Sequence, residues 1–170
     1  MAVTVKNTYR ASSDLTVTAL NGGIVSSATW ISGWTSGTID NTSNLDRDIF
    51  ISGKFVAEST GLTAGEMRFG IYTMLDDSNW PDIFSAGTEG TEGTATIHDT
   101  EIRDSAFYWI WGQITDTSAS RVYTMPKISI RKRLGFCPSK CACFFAHSMV
   151  AALETAGNQV TIQGQYETIA

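Results

Sequence analysis

The chain has 170 residues, of which 42% are hydrophobic and 11% aromatic, and carries a formal net charge of −5. This content excludes a disordered chain and suffices for one domain with a real core. The acidic balance offers nucleic acid no basic face, and no run of about 18 apolar residues exists to span a membrane.

Residues 1–13 are mixed and polar, and read as an N-terminal arm or a first edge strand ahead of a β-sandwich domain over 14–170. Met1 to Lys6 lacks a basic segment followed by an apolar one, so no secretory signal is expected and synthesis in a cytoplasm is. Asp14 to Leu20 alternates and predicts a strand, closed by Asn21-Gly-Gly23. Ala28 to Trp34 predicts a short aromatic strand, followed by loop chemistry at 35–46.

Residues 48–75 predict two long strands joined by a polar loop. Ile49, Ile51, Gly53 and Phe55 share one face of the first. On the second, Met67, Phe69, Ile71 and Thr73 alternate with Arg68, Gly70, Tyr72 and Met74. Period two with β-branched and aromatic residues is the strand signal, and Ser59 to Gly65 supplies turn residues. Asp76 to Asn79 turns the chain, Trp80-Pro81 is irregular, and 85–93 is a polar loop holding Gly87, Gly90 and Gly93.

Thr94 to His98 predicts a strand, and Asp99 to Asp104 one capped helical turn. Ala106 to Thr115 is apolar on both faces and predicts a buried strand. Asp116 to Ser120 turns. Arg121 to Ile130 is a strand interrupted at Pro126, hence a bulge or an edge. Cys141 to Val150 and Gln159 to Ile169 close the chain. About eight or nine short strands, with no helix of ten residues, predict an all-β fold, a single antiparallel β-sandwich of jelly-roll type with little helix. Ile49, Ile51, Phe55, Phe69, Ile71, Trp109, Ile114 and Ile162 are the expected core.

Chemistry-bearing residues are sparse. Cys137, Cys141 and Cys143, with His147 four residues on, are the sharpest metal candidate, because zinc needs four convergent ligands. Their spacing matches no common zinc pattern, and structural thiols are the favoured reading. His98 and His147 are the only histidines and lie far apart, with no nucleophile elbow beside either. The carboxylate pairs Asp46 with Asp48 and Asp76 with Asp77 read as turn-makers rather than as facing glycosidase acids. No catalysis, cofactor or metal is therefore expected.

Trp30, Trp34, Trp80, Trp109 and Trp111 are either a sugar-stacking platform or core packing, and packing is favoured. Trp109 and Trp111 are expected to share a core face, and Trp80 to be exposed. Arg131-Lys132-Arg133 with Lys140 is a local basic cluster on an acidic protein. It reads as a solvated turn or as a contact to an acidic neighbouring subunit. Trp80, Arg131, Lys132, Arg133 and Lys140 are the candidate partner contacts.

Several stretches together carry a resemblance. They are Asp40 to Asp46, Ile51-Ser-Gly-Lys-Phe55, Thr63-Ala-Gly-Glu66, Tyr72 to Asp77, Trp80-Pro-Asp82, Arg121-Val-Tyr123 and the ending Ile162 to Ala170. In this order the chain from residue 40 onward resembles jelly-roll decoration (cement) proteins of tailed bacteriophages. Gly135 to Cys143 departs from that pattern. The resemblance implies a non-enzymatic virion subunit on the capsid exterior. Its partners would be the major capsid protein and itself, as a dimer or trimer, with neither nucleic acid nor membrane. A phage tail or fibre module that binds receptor glycan through Trp80 is the main alternative, and a sugar-processing enzyme a distant third.

Overall fold

A computed structural model describes residues 4–58, 64–76, 78–114 and 120–169. Ser59 to Thr63, Asp77, Thr115 to Ala119 and the Ile114 side chain, which bear on the expected loop, acidic pair, turn and core, lie outside the described residues.

The chain begins with β1 (Val5–Tyr9), β2 (Ser13–Asp14), β3 (Ser32–Thr35) and β4 (Ile39–Asp40). β5 (Asp48–Val56) and β6 (Glu66–Thr73) are the two long strands. β7 (Phe84–Ala86), β8 (Gly93–Ile97), α1 (Thr100–Ala106) and β9 (Tyr108–Ile114) follow. β10 (Val122–Ser129), α2 (Ile130–Leu134), β11 (Lys140–His147) and β12 (Gln159–Ile169) complete it. One sheet runs β1-β12-β5-β10, with β2 also on β12. The other runs β7-β8-β3-β11-β6-β9, with β4 also on β11. Every strand pairing is antiparallel. The expected all-β sandwich is the fold.

Alternation in β5 and β6 sorts side chains as their sequence implies. Ile49, Ile51, Phe55, Met67, Phe69 and Ile71 are buried in the core between the sheets. Ile162 is half-buried against that core. The two strands are not neighbours, however. β5 pairs with β10 and β12, β6 with β9 and β11, so the two stand in different sheets. Phe55 and Phe69 meet across the sandwich with ring centroids 6.0 Å apart.

The β6–β11 region is apolar on both faces because a second apolar layer lies outside it. Tyr72, Ala142, Phe144 and Ala146 point outward and are covered by Ile83, Phe84, Ile97 and Phe107. Tyr72 centres this layer, with Phe84, Phe107 and Trp80 set edge-on to its ring at 5.7, 5.6 and 5.3 Å. Such edge-to-face pairs exploit the ring quadrupoles. This layer corrects the expectation for Trp80, which is half-buried as part of the cover and sits against Gly90.

Three further expectations are corrected. Of the expected strand Asp14 to Leu20 only Asp14 is in a strand, β2, followed by a 3-10 turn at Leu20–Gly22. Leu15, Val17 and Ala19 still pack on the core, while the Ala19 N–H goes to the Glu92 carboxylate at 2.8 Å. The period of two there reports burial without sheet pairing. Trp109 and Trp111 do not share a face: a register shift opposite Phe69 and Gly70 turns Trp111 to the inner core and Trp109 to the outer layer. Finally, β9 is an edge strand and not an interior one.

Of the helices, α1 has the expected cap, with the Asp99 carboxylate accepting the Ile102 N–H at 2.8 Å. α2 was not expected, although its signals are local. Ser129 accepts the Lys132 N–H at 2.8 Å, and Gly135 closes the turn at φ +86°. A Ser cap and a left-handed Gly are the standard ends of a helix. Pro126 stands on the edge strand β10 beside a register shift, as its missing N–H requires.

Candidate functional site

Cys141 and Cys143 lie on the inner face of β11 and are buried, and Cys137 is half-buried against the same core. All three are free thiols. Burial pushes the Cys141 thiol up to about 12 and Cys143 well above its ordinary value. Cys137 rises to about 11, first through burial and then through the charges of Asp48 and Asp46. Protonated thiols neither attack nor ligate, so these behave as small apolar side chains. Among the described residues no three His, Cys, Asp or Glu side chains converge as a ligand set.

His147 is buried, with Nε2–H donating to the Ile24 carbonyl at 2.9 Å and Nδ1 without a partner among the described residues. Burial lowers its pKa, and the bond to Ile24 offsets this only in part. A second proton would land on Nδ1 in apolar surroundings. The folded state therefore resists protonation, while the unfolded chain takes the proton near pH 6.5. Stability is full above that pH and declines as pH falls below it, with a slope of at most about 1.4 kcal/mol per pH unit. Urea unfolding at pH 7.5 and 5.5 is expected to show this loss, and His147→Gln, which keeps a donor for Ile24, is expected to reduce it. Equal pH dependence in both proteins would refute the assignment.

His98, by contrast, is exposed, with Nε2 3.3 Å from Asp82 Oδ1. The Asp76 carboxyl is held below its ordinary range, first by the Asn79 side chain and then by the Ser78 and Asn79 N–H groups, as a turn-maker should be. Asp46 and Asp48 depart from the turn reading because both are buried. Asp46 accepts from Arg10 Nε at 2.8 Å and lies over Gly164, where a Cβ would come within 2.0 Å of its Oδ2. Asp48 Oδ1 accepts the N–H groups of Ile49 at 2.8 Å and Arg131 at 3.0 Å, and its Oδ2 accepts the Ser129 hydroxyl at 2.5 Å. Asp48 thus staples α2 to β5 through the backbone and cap of the helix.

The tryptophans are spread over several parts of the fold. Trp34 is buried, donating Nε1–H to Glu92 at 2.9 Å, and Trp111 stacks on Phe55 in the inner core. Trp80 and Trp109 belong to the outer layer, and Trp30 lies under the Arg68 guanidinium at 3.7 Å.

Arg131, Lys132 and Arg133 are exposed on α2, which packs against β5 and β9 on one side of the sandwich. Arg133 Nε donates to the Trp109 carbonyl at 3.1 Å, and its Nη2 donates to the same oxygen. Two shallow grooves meet at Arg133. One, of about 320 Å³, is lined by Arg68, Trp109, Ile110, Trp111, Gly112 and Arg133. The other, of about 380 Å³, is lined by Lys127, Ile128, Ser129, Lys132 and Arg133. Among the described residues neither has a carboxylate in its lining. Lys140 stands opposite Asp40 in the β11–β4 register. The Asp40 carboxyl is lowered mainly by hydrogen bonds from Thr42, with the Lys140 charge adding a smaller part. Lys140 therefore has an acidic neighbour, whereas the α2 cations form the open patch.

Sequence reasoning found Arg131 to Arg133 but missed Lys127, Arg68 and the Asp48 staple. Ser129 and Gly135, spaced to cap one helical turn, were the available signal for α2. A wider depression, about 450 Å³ beside Gly22, Gly23, Ile24, Val25 and Gly33, has among the described residues no charged group in its lining. No protein-family model, curated protein or solved structure matches the chain.

Proposed function

We propose that the chain is a capsid decoration subunit of a tailed bacteriophage, bound outside the major capsid protein lattice and clamping adjacent subunits. The observation that carries this reading is the exposed cationic helix α2, stapled by Asp48 to a two-sheet sandwich in an otherwise acidic chain. A helix held at both its cap and its backbone presents charge in a fixed place, which suits steering to an acidic subunit. Packaged genome pushes shell subunits apart, and a clip across their junctions stabilises the assembled state by linkage.

The strand order supports the jelly-roll part of the reading. β1 pairs with β12, β3 with β11, β5 with β10 and β6 with β9. These pairs nest in chain order, as in a long hairpin rolled into two sheets, which is the jelly-roll path. The rival receptor-binding reading rests on Trp80, and the packing of Trp80 against Tyr72 and Gly90 speaks against it. Self-association as a closed dimer or trimer remains part of the proposal.

The test is binding to emptied capsids, with imaging of the particle. Purified protein is expected to occupy many equivalent sites over the shell. The Arg131→Gln, Lys132→Gln, Arg133→Gln triple variant is expected to bind at least tenfold more weakly near 50 mM salt, where screening is weak. Density confined to the tail, or binding to glycan but not to capsids, defeats the proposal.

A further inference from the structure

The groove between α2 and β9 has chemistry that a basic patch alone does not. β9 ends its sheet, with β6 on one side and, among the described residues, no strand on the other. Open edges invite another strand unless blocked by charge, proline, irregularity or brevity. β7 is only three residues long, with a register shift. β10 carries Pro126, Lys127 and a register shift, and β1 carries Lys6. β9, Tyr-Trp-Ile-Trp-Gly-Gln-Ile, has neither charge nor proline along its seven residues, and the register shift opposite Phe69 and Gly70 leaves Trp111 to Ile114 in regular register with β6. Arg133 bonds to its backbone at the groove border, through the Trp109 carbonyl.

This apolar edge sits beside a concentration of positive charge. Five of the 12 Lys and Arg residues of the chain, Arg68, Lys127, Arg131, Lys132 and Arg133, line the two grooves or stand on the helix between them. Arg68 is paired with Glu66 at 2.8 Å, and Lys127 is bonded to Gln163 at 2.6 Å. Gln163 is neutral, so the charge left facing solvent is that of Lys127 and α2. Gly112 is part of the groove lining.

We propose that this groove binds an extended acidic segment of a partner polypeptide, added as a strand to β9 with its carboxylates paired to α2. The proposal rests on the partner-contact reading of α2 given above, and it names the chemistry of the partner. A β-strand supplies alternating N–H and C=O groups to an open edge, and acids at every second residue fall on one face. A nucleic acid brings the negative charge but no such backbone ladder.

The probe is a labelled ten-residue peptide alternating Glu and Val, measured by fluorescence anisotropy on the full chain at about 50 mM salt, where Coulomb attraction is little screened. Saturable binding is expected. Methylating alternate backbone nitrogens of the peptide, which keeps its charge, is expected to weaken binding at least tenfold. An oligodeoxynucleotide of equal charge is expected to bind at least tenfold more weakly than the peptide. Arg131→Gln with Lys132→Gln is expected to lower peptide affinity at least fivefold with unchanged circular dichroism and melting, because both side chains are exposed. No peptide binding, equal binding of the methylated peptide, equal binding of the oligonucleotide, or an unaffected double variant each overturns the proposal. If capsids bind and the peptide does not, the groove assignment alone falls. If the peptide binds and capsids do not, the decoration reading falls and the groove assignment stands.

Discussion

Phe55→Ala is expected to cost about 3–5 kcal/mol of folding stability, the range for removing a buried aromatic from a packed core. Phe55 stands on β5 in one sheet and touches three rings of the other. It stacks on Phe145 at 4.3 Å and Trp111 at 5.7 Å, and meets Phe69 at 6.0 Å. Removing its ring leaves a void bounded by three aromatics on three different strands, which cannot close together without shifting a sheet. Urea unfolding should show a lower midpoint with little change in slope. Phe50→Ala, on the half-buried outer face of the same strand, is expected to cost less than half as much. Similar losses for the two variants would mean that Phe55 is not the link between the sheets.

Gly33→Ala is expected to be nearly as damaging, about 3 kcal/mol or more, for a different reason. A Cβ at Gly33 would lie 2.0 Å from the Phe145 carbonyl oxygen and 3.1 Å from the Ala146 Cβ. The obstacle is the backbone of β11, an interior strand held by β3 and β6, so no side-chain rotation relieves it. The added methyl must separate β3 from β11 or distort one of them, which is overpacking at its most costly. Gly37→Ala is the matched control, because nothing lies within 4 Å of a Cβ there. It is expected to change stability by no more than about 0.5 kcal/mol. Equal unfolding midpoints for the two variants would contradict the close approach of β3 to β11.

The same contrast separates what was legible along the chain from what was not. The alternation of Ile49, Ile51 and Phe55, and of Met67, Phe69 and Ile71, identified two strands and their core faces. Period two is a property of neighbouring residues and needs no knowledge of the partner. The Asp99 cap of α1 and the edge position of Pro126 were legible for the same reason, since a cap or a missing N–H acts within one turn or one rung. Three clustered cysteines without a zinc spacing likewise pointed to structural thiols, and Cys141 and Cys143 are buried.

Pairing is not local, and there the chain alone was silent. β5 and β6 are consecutive and both amphipathic, yet β5 pairs with β12, as in Ile51 with Ile162, and faces β6 across the core. Trp109 and Trp111, two residues apart, separate to opposite faces because of an irregularity defined only by β6. Trp80 beside a proline looked exposed, but a second apolar layer on the far face of β11 recruits it as cover. Asp46 and Asp48 had the composition of a turn and became buried anchors once Arg10, Ser129 and the backbone of α2 were brought to them. The candidate groove is of this second kind. Arg68, Trp109 and Arg133 come from β6, β9 and α2, and only the closing of the sandwich makes them neighbours. The sequence by itself determined an all-β chain, the core faces of its strands and the charge of α2, because alternation, capping and composition act over a few residues. Which strands share a sheet, which polar groups are buried and where α2 presents its charge were decided by tertiary structure. Burial free energy is summed over contacts between residues far apart in the chain, and a local pattern cannot choose among them.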